Sequence, residues 1–443
     1  MTPLQILSEE KTDDDGNLLD LAQVLLKHGA EVNRRNKDGQ TPLHLAMRRK
    51  QSRLVEILLE HGADANAKNN EGMFPLEILS DPEGYYYTGD DEANILDIAQ
   101  LLLKHRAEVN KRCKANETPL HRAIRRNRSR LAWILLENGA DANAENNEGQ
   151  AMLHIFAECA HIRDESIQVA LNLLSLLLSK GADVNKRDKA NETPLHLAMR
   201  RNRFMFVKTL LEHGADFNVQ NNEGQTFFHM LSECYLWNSG CIRNLVLWLL
   251  NRGAEVNKQD NANETPLHLA IRRCRFKFTR TLLAYGADTN AENDKGQTPL
   301  HILLSQNLNY YIWCYPVDCN LERSDKAWTK ARGDISNLVL LLLKNGAEVN
   351  SRDKDNETPL HLAIRWGWFN LAGTLLKHGA DADAENDDDK TPLRILSECC
   401  SHDNGDLINH ASLFLKDAVP ENQQDENNNT LLHLGIGEAR EGK

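Results

Sequence analysis

Residues 41–63 read TPLHLAMRRKQSRLVEILLEHGA, an order of residue types that makes two short helices and a tight loop. Thr41 before Pro42 is an N-cap followed by proline in the first turn, where its fixed φ suits the helix and its missing N–H has no partner to lose. Leu43, Ala46 and Met47 then fall at three- and four-residue spacing, the period of one helical face. Leu54, Ile57 and Leu58 build a second apolar helix, which Gly62 closes as a C-cap. The Asn-Glu-Gly run at 70–72 is turn chemistry. One unit is therefore helix, short loop, helix, extended turn.

The unit recurs along almost the whole chain. Thr-Pro-Leu-His begins at Thr41, Thr118, Thr193, Thr265, Thr298 and Thr358, with degenerate copies from Thr2, Phe74, Ala151, Thr226, Thr391 and Thr430. Gly-Ala closes the second helix at Gly29, Gly62, Gly139, Gly181, Gly214, Gly253, Gly286, Gly346 and Gly379, and Arg106 takes the glycine's place once. Repetition of a pattern this long resembles the ankyrin-repeat family, from Thr2 to about Leu434. The resemblance implies an all-α repeat solenoid of helix-loop-helix units with a β-turn or hairpin between them, the turns and first helices lining a concave face. About eleven to twelve units are expected: 1–35, 36–68, 69–112, 113–145, 146–187, 188–220, 221–259, 260–292, 293–352, 353–385, 386–424 and a partial 425–443. The last reads as a degenerate cap, with Asn427–Asn429 leading into a weak helix that contains Gly435 and Gly437.

Short and long units alternate. The step from the capping glycine to the next threonine is constant, as from Gly29 to Thr41 and from Gly346 to Thr358, so all extra length falls between the first and second helices of the long units. The longest insert, about Asn307 to Gly333, carries Tyr310, Tyr311, Trp313, Tyr315 and Trp328, and a shorter one carries Tyr85, Tyr86 and Tyr87. Insertions in repeats map to one face and are candidate partner-binding segments.

In the resembled family the eighth and ninth places of the unit face solvent and often touch a partner. In short units these are Arg48-Arg49, Arg125-Arg126, Arg200-Arg201, Arg272-Arg273 and Arg365-Trp366. In long units they include Glu9-Glu10, Glu158-Cys159, Glu233-Cys234 and Glu398-Cys399. Helices packed about 8–10 Å apart bring an arginine of one unit within reach of a glutamate of the next. Two arrangements follow: a ladder of cross-repeat ion pairs, or a striped surface that binds an acidic or mixed-charge partner.

Several constellations are read as structural. Nine histidines hold the fourth place of the unit: His44, His121, His154, His196, His229, His268, His301, His361 and His433. A fixed repeat place means a hydrogen-bonding role, and the resemblance implies that this histidine ties one turn to the next. The nine cysteines show no zinc spacing; Cys314 and Cys319 share the long insert and Cys399-Cys400 is a vicinal pair. No phosphate loop, nucleophile elbow or metalloprotease helix is present, so no catalytic residue, cofactor site or metal site is assigned. Asn33, Asn110, Asn185, Asn257 and Asn350 follow an acidic residue and valine. The resemblance makes them similar to substrates of a 2-oxoglutarate-dependent asparaginyl hydroxylase, while their residue type alone fits a turn.

Net charge is −12 over 443 residues, which speaks against general binding to nucleic acid. The densest apolar stretch, Leu338–Leu343, is too short to span a membrane, and Met1-Thr2-Pro3-Leu4 begins no signal peptide. Scattered, odd-numbered cysteines favour a reducing compartment, so a monomer in the cytoplasm, or the nucleus, is expected. The function read from the sequence is a non-catalytic protein-binding scaffold. The alternative is an adaptor that brings a client to a separate ubiquitin ligase or kinase. A hydrolase or nuclease hidden near Trp313 and Trp328 is the weakest reading.

Overall fold

The computed structural model describes residues 1–9, 16–80, 89–113, 116–159, 167–233, 240–305 and 325–400; the side chains of 89–92, 167, 240–242, 325–332, 397, 399 and 400 are outside that description. The chain forms two compact units, Met1–Asp216 and Phe217–Lys443. The first holds α1 (Pro3–Glu9), α2 (Gly16–Lys27), α3 (Pro42–Arg48), α4 (Ser52–Glu60), α5 (Pro75–Ile78), α6 (Gly89–Lys104), α7 (Pro119–Arg125), α8 (Ser129–Glu137), α9 (Met152–Glu158), α10 (Ile167–Ser179), α11 (Pro194–Arg200) and α12 (Phe204–Glu212). The second holds α13 (Phe227–Glu233), α14 (Gly240–Leu250), α15 (Pro266–Arg272), α16 (Phe276–Ala284), α17 (Pro299–Ser305), α18 (Asp325–Lys344), α19 (Pro359–Arg365), α20 (Phe369–Lys377) and α21 (Pro392–Cys400).

Helices alternate between two layers. In the first unit α1, α3, α5, α7, α9 and α11 pack in sequence as one layer, and α2, α4, α6, α8 and α10 pack as the other. The second unit repeats the plan with α13, α15, α17, α19 and α21 in one layer, while α18 packs between α16 and α20 in the other. This is the expected all-α repeat solenoid. No β-strand occurs among the described residues, so the hairpin part of the expectation is realised as turns alone.

The short first helices exist because their ends are prepared. Thr118 Oγ1 accepts from the His121 N–H at 3.5 Å, and His121 Nδ1 accepts from the Thr118 N–H at 3.1 Å, a reciprocal cap on a proline-led helix. Packed on three sides, such a helix buries nearly everything it carries: in α3 every residue from Pro42 to Met47 is buried and only Arg48 reaches out. The second helices are amphipathic and bury one stripe, Leu54, Val55, Ile57, Leu58 and Leu59 in α4. They end at left-handed glycines; Gly286 lies at φ +80°, with the Ala287 N–H returning 3.0 Å to the Leu282 carbonyl.

Insert length partly becomes helix. Second helices of short units have nine residues, whereas α6 has 16 and α18 has 20. The stretch Asp325–Gly333, expected as loop, is the first part of α18.

Candidate functional site

The first helices end on the arginine doublets, and the eighth-place arginine turns back along its own helix. Arg125 Nη2 lies 2.8 Å from Oε1 of Glu117, the residue just before the capping threonine. Arg200 pairs in the same way with Glu192, Arg272 with Glu264 and Arg365 with Glu357. Helical side chains lean toward the N-terminus, so a guanidinium can reach a carboxylate about two turns back. Glu192, Glu264 and Glu357 are buried, and Asn293 and Asn386 of the following turns also donate to Glu264 and Glu357, each at 3.2 Å. Burial pushes the Glu357 carboxyl up, against the pull of Arg365 and Asn386.

Long units carry the same clasp with its polarity reversed. Gln150 Nε2 donates to Glu158 Oε2 at 3.2 Å, and Lys390 Nζ meets Glu398 Oε2 at 2.7 Å. At these places the pairs close within a repeat rather than across to the next. A cross-repeat rung of the expected kind joins Arg273 Nη2 to Glu233 at 3.2 Å.

Apart from Arg273, two ninth-place arginines differ from their eighth-place neighbours. Arg49 and Arg201 are exposed and make no ion pair among the described residues, and Trp366 is 43% exposed in the same register. Arg126 is exposed beside the paired Arg125. Tyr310, Tyr311, Trp313 and Tyr315, together with Tyr85–Tyr87, lie outside the described residues, as does the side chain of Trp328 on α18.

A third arginine escaped the sequence reading. Arg203 Nη1 donates to the Phe156 carbonyl at 2.7 Å and Arg275 Nη2 to the Glu233 carbonyl at 3.4 Å, both in the preceding repeat's first helix. The open carbonyl end of a helix attracts a cation. The recurrence of arginine at Arg128, Arg203 and Arg275, always at the start of a second helix, was the available signal.

Histidines and asparagines do the tying between repeats. Several histidines donate from Nε2 across to the residue before the next repeat's capping position: His121 to the Gln150 carbonyl at 3.3 Å, His268 to Gln297 at 3.0 Å and His361 to Lys390 at 3.1 Å, whereas the buried His44 Nε2 has no hydrogen-bond partner. Burial holds His44 and His121 down at about 4, so these imidazoles are neutral and one nitrogen is free to donate. Each asparagine of the candidate hydroxylation set is used at both ends of its amide. Asn33 Nδ2 donates to the Gly62 carbonyl at 3.0 Å and its Oδ1 accepts from the Asp64 N–H at 2.8 Å. Asn110, Asn185, Asn257 and Asn350 donate in the same way to Gly139, Gly214, Gly286 and Gly379. Asn66, Asn143, Asn218 and Asn290 fill the alternate rungs. The turn tips are bonded through the backbone as well, as where the Asn261 N–H donates to the Glu223 carbonyl at 3.0 Å.

No group of three or more metal-ligating side chains occurs among the described residues, and no described helix is long and apolar enough to cross a membrane. Cys113, Cys159 and Cys274 are in no disulfide.

Paired short helices stacked in two layers within each unit and stitched by histidine and asparagine define a helical repeat array. Models of ankyrin repeats match residues 25–79 and 102–156 (many copies) and 139–221, 165–236, 231–313 and 329–409 (3 copies). The chain belongs to the ankyrin-repeat family. It is 32% identical over 121 residues to the E3 ubiquitin-protein ligase KEG of Arabidopsis thaliana, covering 27% of this chain and 7% of that one. It is 32% identical over 132 residues to an ankyrin repeat protein of Fowlpox virus, covering 24% of this chain and 70% of that one. It is 31% identical over 142 residues to the neurogenic locus notch homolog protein 1 of Mus musculus, covering 26% and 6%. The match thus spans a small part of the plant ligase and of the notch homolog. A solved ankyrin repeat domain from Acinetobacter baumannii aligns with a TM-score of 0.41 at 25% identity, over 48% of this chain and 98% of that one.

Proposed function

We propose that this protein is a non-catalytic scaffold that binds other proteins through the ninth-place residues of its first helices and through the inserts of its long repeats. Ankyrin repeats are protein–protein interaction modules, and the observation that carries the finer reading is the division of labour within the doublets. The eighth-place arginines are held by buried glutamates of their own repeat, whereas Arg49 and Arg201 present exposed guanidinium groups with no described carboxylate. Trp366 adds an exposed indole in the equivalent place. Arginine and tryptophan are the side chains that most often dominate binding energy at interfaces. A partner segment with carboxylates and an apolar anchor suits them. The protein acts as a monomer in the cytoplasm or nucleus in this reading.

The test compares proteins retained from native lysate by the wild-type chain, by R49E/R201E/W366A and by a chain lacking residues 307–324. Loss of the same proteins with either variant, at unchanged thermal stability, is the expected result. Identical retained sets in all three would sink the proposal. The adaptor reading draws on the similarity to a small part of a ubiquitin ligase; it requires a ligase or kinase in the retained set that leaves with the client. A covalent mark at Asn33, Asn110, Asn185, Asn257 or Asn350 would add one oxygen to the corresponding native peptide, and its absence by mass spectrometry would dismiss the hydroxylase.

A further inference from the structure

One joint in the first unit is built from different residues than the others. At the place of the capping threonine stands Phe74, buried, with Lys68 Nζ 5.5 Å and Lys111 Nζ 4.9 Å from its ring centroid. At the place of the tying histidine stands Glu77, fully buried. Cys113 replaces the aspartate found at Asp188, Asp260 and Asp353, and Arg122 replaces the leucine found at Leu197, Leu269 and Leu362. These departures meet: Arg122 Nη1 lies 3.5 Å from Met73 Sδ and Nη2 lies 3.8 Å from Cys113 Sγ. The first helix of this repeat, α5, is four residues long, whereas α3 and α7 on either side have seven.

Glu77 does half of the histidine's work. Its Oε2 accepts from the Phe74 N–H at 3.1 Å, as Nδ1 of His44 and His121 does in the neighbouring caps and Gln5 Oε1 does in the first. The other half fails. Where His121 Nε2 donates to the next repeat's carbonyl, an ionised Glu77 can only accept, and its buried Oε1 has no backbone or amide partner, only the weakly donating Cys113 thiol nearby. An ionised carboxylate cannot donate; a protonated one can. We propose that the joint between the repeats beginning at Phe74 and Thr118 is a proton-operated clasp, in which protonated Glu77 supplies the donor that His121 supplies at the next joint and Gln5 Nε2 at the first.

Burial raises the Glu77 carboxyl above its ordinary range, against the Phe74 N–H, the charge of Arg122 and the approach of the Cys113 thiol, a weak donor that favours the ionised form, while Glu117 pushes the same way as burial. His44 of the preceding repeat is neutral near pH 7 and adds no charge there. Asp97 of α6, packed behind α5, is exposed. A group whose folded pKa is raised stabilises below its unfolded value, and that stabilisation is lost as pH rises through the folded value. The clasp is closed in acid and open in alkali, opposite in sign to the histidine joints around it.

The experiment is hydrogen exchange of the full chain, followed by mass spectrometry of peptides spanning 74–80 and 117–122, at pH 5.5 and 8 and corrected for intrinsic chemistry. Wild-type protection there should be about fivefold greater at pH 5.5, the worth of one net hydrogen bond. Glu77→Gln, whose amide donates at every pH, should hold the acid level of protection at pH 8, and Glu77→His should do likewise. Wild-type protection that does not rise in acid would overturn the clasp. So would a Glu77→Gln chain less protected than wild type at pH 8, because that result means Glu77 is an ionised partner of Arg122. If Glu77→Gln destabilises peptides throughout the first unit, Glu77→His decides alone: equal or better local protection at pH 8 supports the clasp, and lower protection overturns it.

Discussion

Glu117 and Arg125 close one repeat upon itself, carboxylate oxygen to guanidinium nitrogen at 2.8 Å across the length of α7. The pair is unequal, because Glu117 is mostly covered while Arg125 is 43% exposed. In the equivalent pair of the second unit, Glu264 is 8% exposed and Arg272 36%. Inequality of burial predicts inequality of cost. Arg272→Ala strands a buried carboxylate with only Asn293 to satisfy it, whereas Glu264→Gln leaves a guanidinium that water can reach. Discounted for that exposure, the first should cost about 1–2 kcal/mol and the second about 0.5 kcal/mol or less. Urea midpoints of the two single variants and the double measure it. Equal losses would mean that the pair acts as an ordinary surface bridge.

The turn tips make a second prediction, from two left-handed glycines. Gly224 lies at φ +75° and Gly253 at φ +85°. A Cβ at Gly253 meets nothing within 4 Å, but one at Gly224 would lie 2.6 Å from the Asn261 backbone nitrogen in the next turn. Gly253→Ala should therefore cost about 1–2 kcal/mol, the left-handed penalty alone. Gly224→Ala should add a further 1–3 kcal/mol, roughly, for the overpacking. Its turn-to-turn bond, from the Asn261 N–H to the Glu223 carbonyl, should then exchange faster than in Gly253→Ala. Equal exchange in the two variants would refute the close approach.

These features differ in how far the sequence discloses them. The caps, histidine ties and second-helix glycines repeat at fixed places, so their roles follow from local chemistry, as Thr118 and His121 show. The arginine partners were harder to see. The helix rule pairs residues three or four apart, while Glu192 and Arg200 are eight apart with the cap between them, and the clue was that Gln150 and Glu158 reverse the pattern. The onset of α18 at Asp325 could not be read, because the insert has no apolar period until Leu338. Glu77 is visible in the sequence as a departure from histidine, but only the structure shows that it is buried with one carboxyl oxygen lacking a strong donor.

The asparagine stitches predict a graded response. Asn257 donates 3.0 Å to the Gly286 carbonyl and accepts 2.8 Å from the Asp288 N–H, joining two turns with one side chain. Asn257→Ala removes both bonds at an exposed site where water replaces them, a loss of about 1–2 kcal/mol. Asn257→Asp keeps the acceptor and turns the donor into a repulsive oxygen facing a carbonyl, so it should fall at the upper end of that range. Urea midpoints rank the variants. An aspartate variant as stable as wild type would show that the Nδ2 bond to Gly286 carries no weight.

Acid should weaken the array, and the histidines set the window. Burial holds His44 and His121 at about 4 and depresses His154, His229, His268, His301 and His361 as well. In the unfolded chain each takes a proton near pH 6.5. Below that pH the unfolded state binds more protons than the folded one, so stability is fully present above about 6.5 and is lost as pH falls toward the folded values. For His121 alone, a fall from 6.5 to about 4 corresponds to a loss on the order of 3 kcal/mol across that range. Glu77 and Glu357, whose carboxyls are raised, pull the other way, but they are outnumbered by seven histidines. The urea midpoint should be level from pH 8 to 7 and then decline steadily to pH 4.5. His121→Asn should start lower at pH 8, having lost the tie to Gln150, and decline less steeply. A wild-type midpoint that holds or rises down to pH 5 would mean that the tying histidines are already protonated in the folded chain; Nε2 could still donate to the carbonyls, but Nδ1 could not accept from the threonine N–H, and the caps would need a different account.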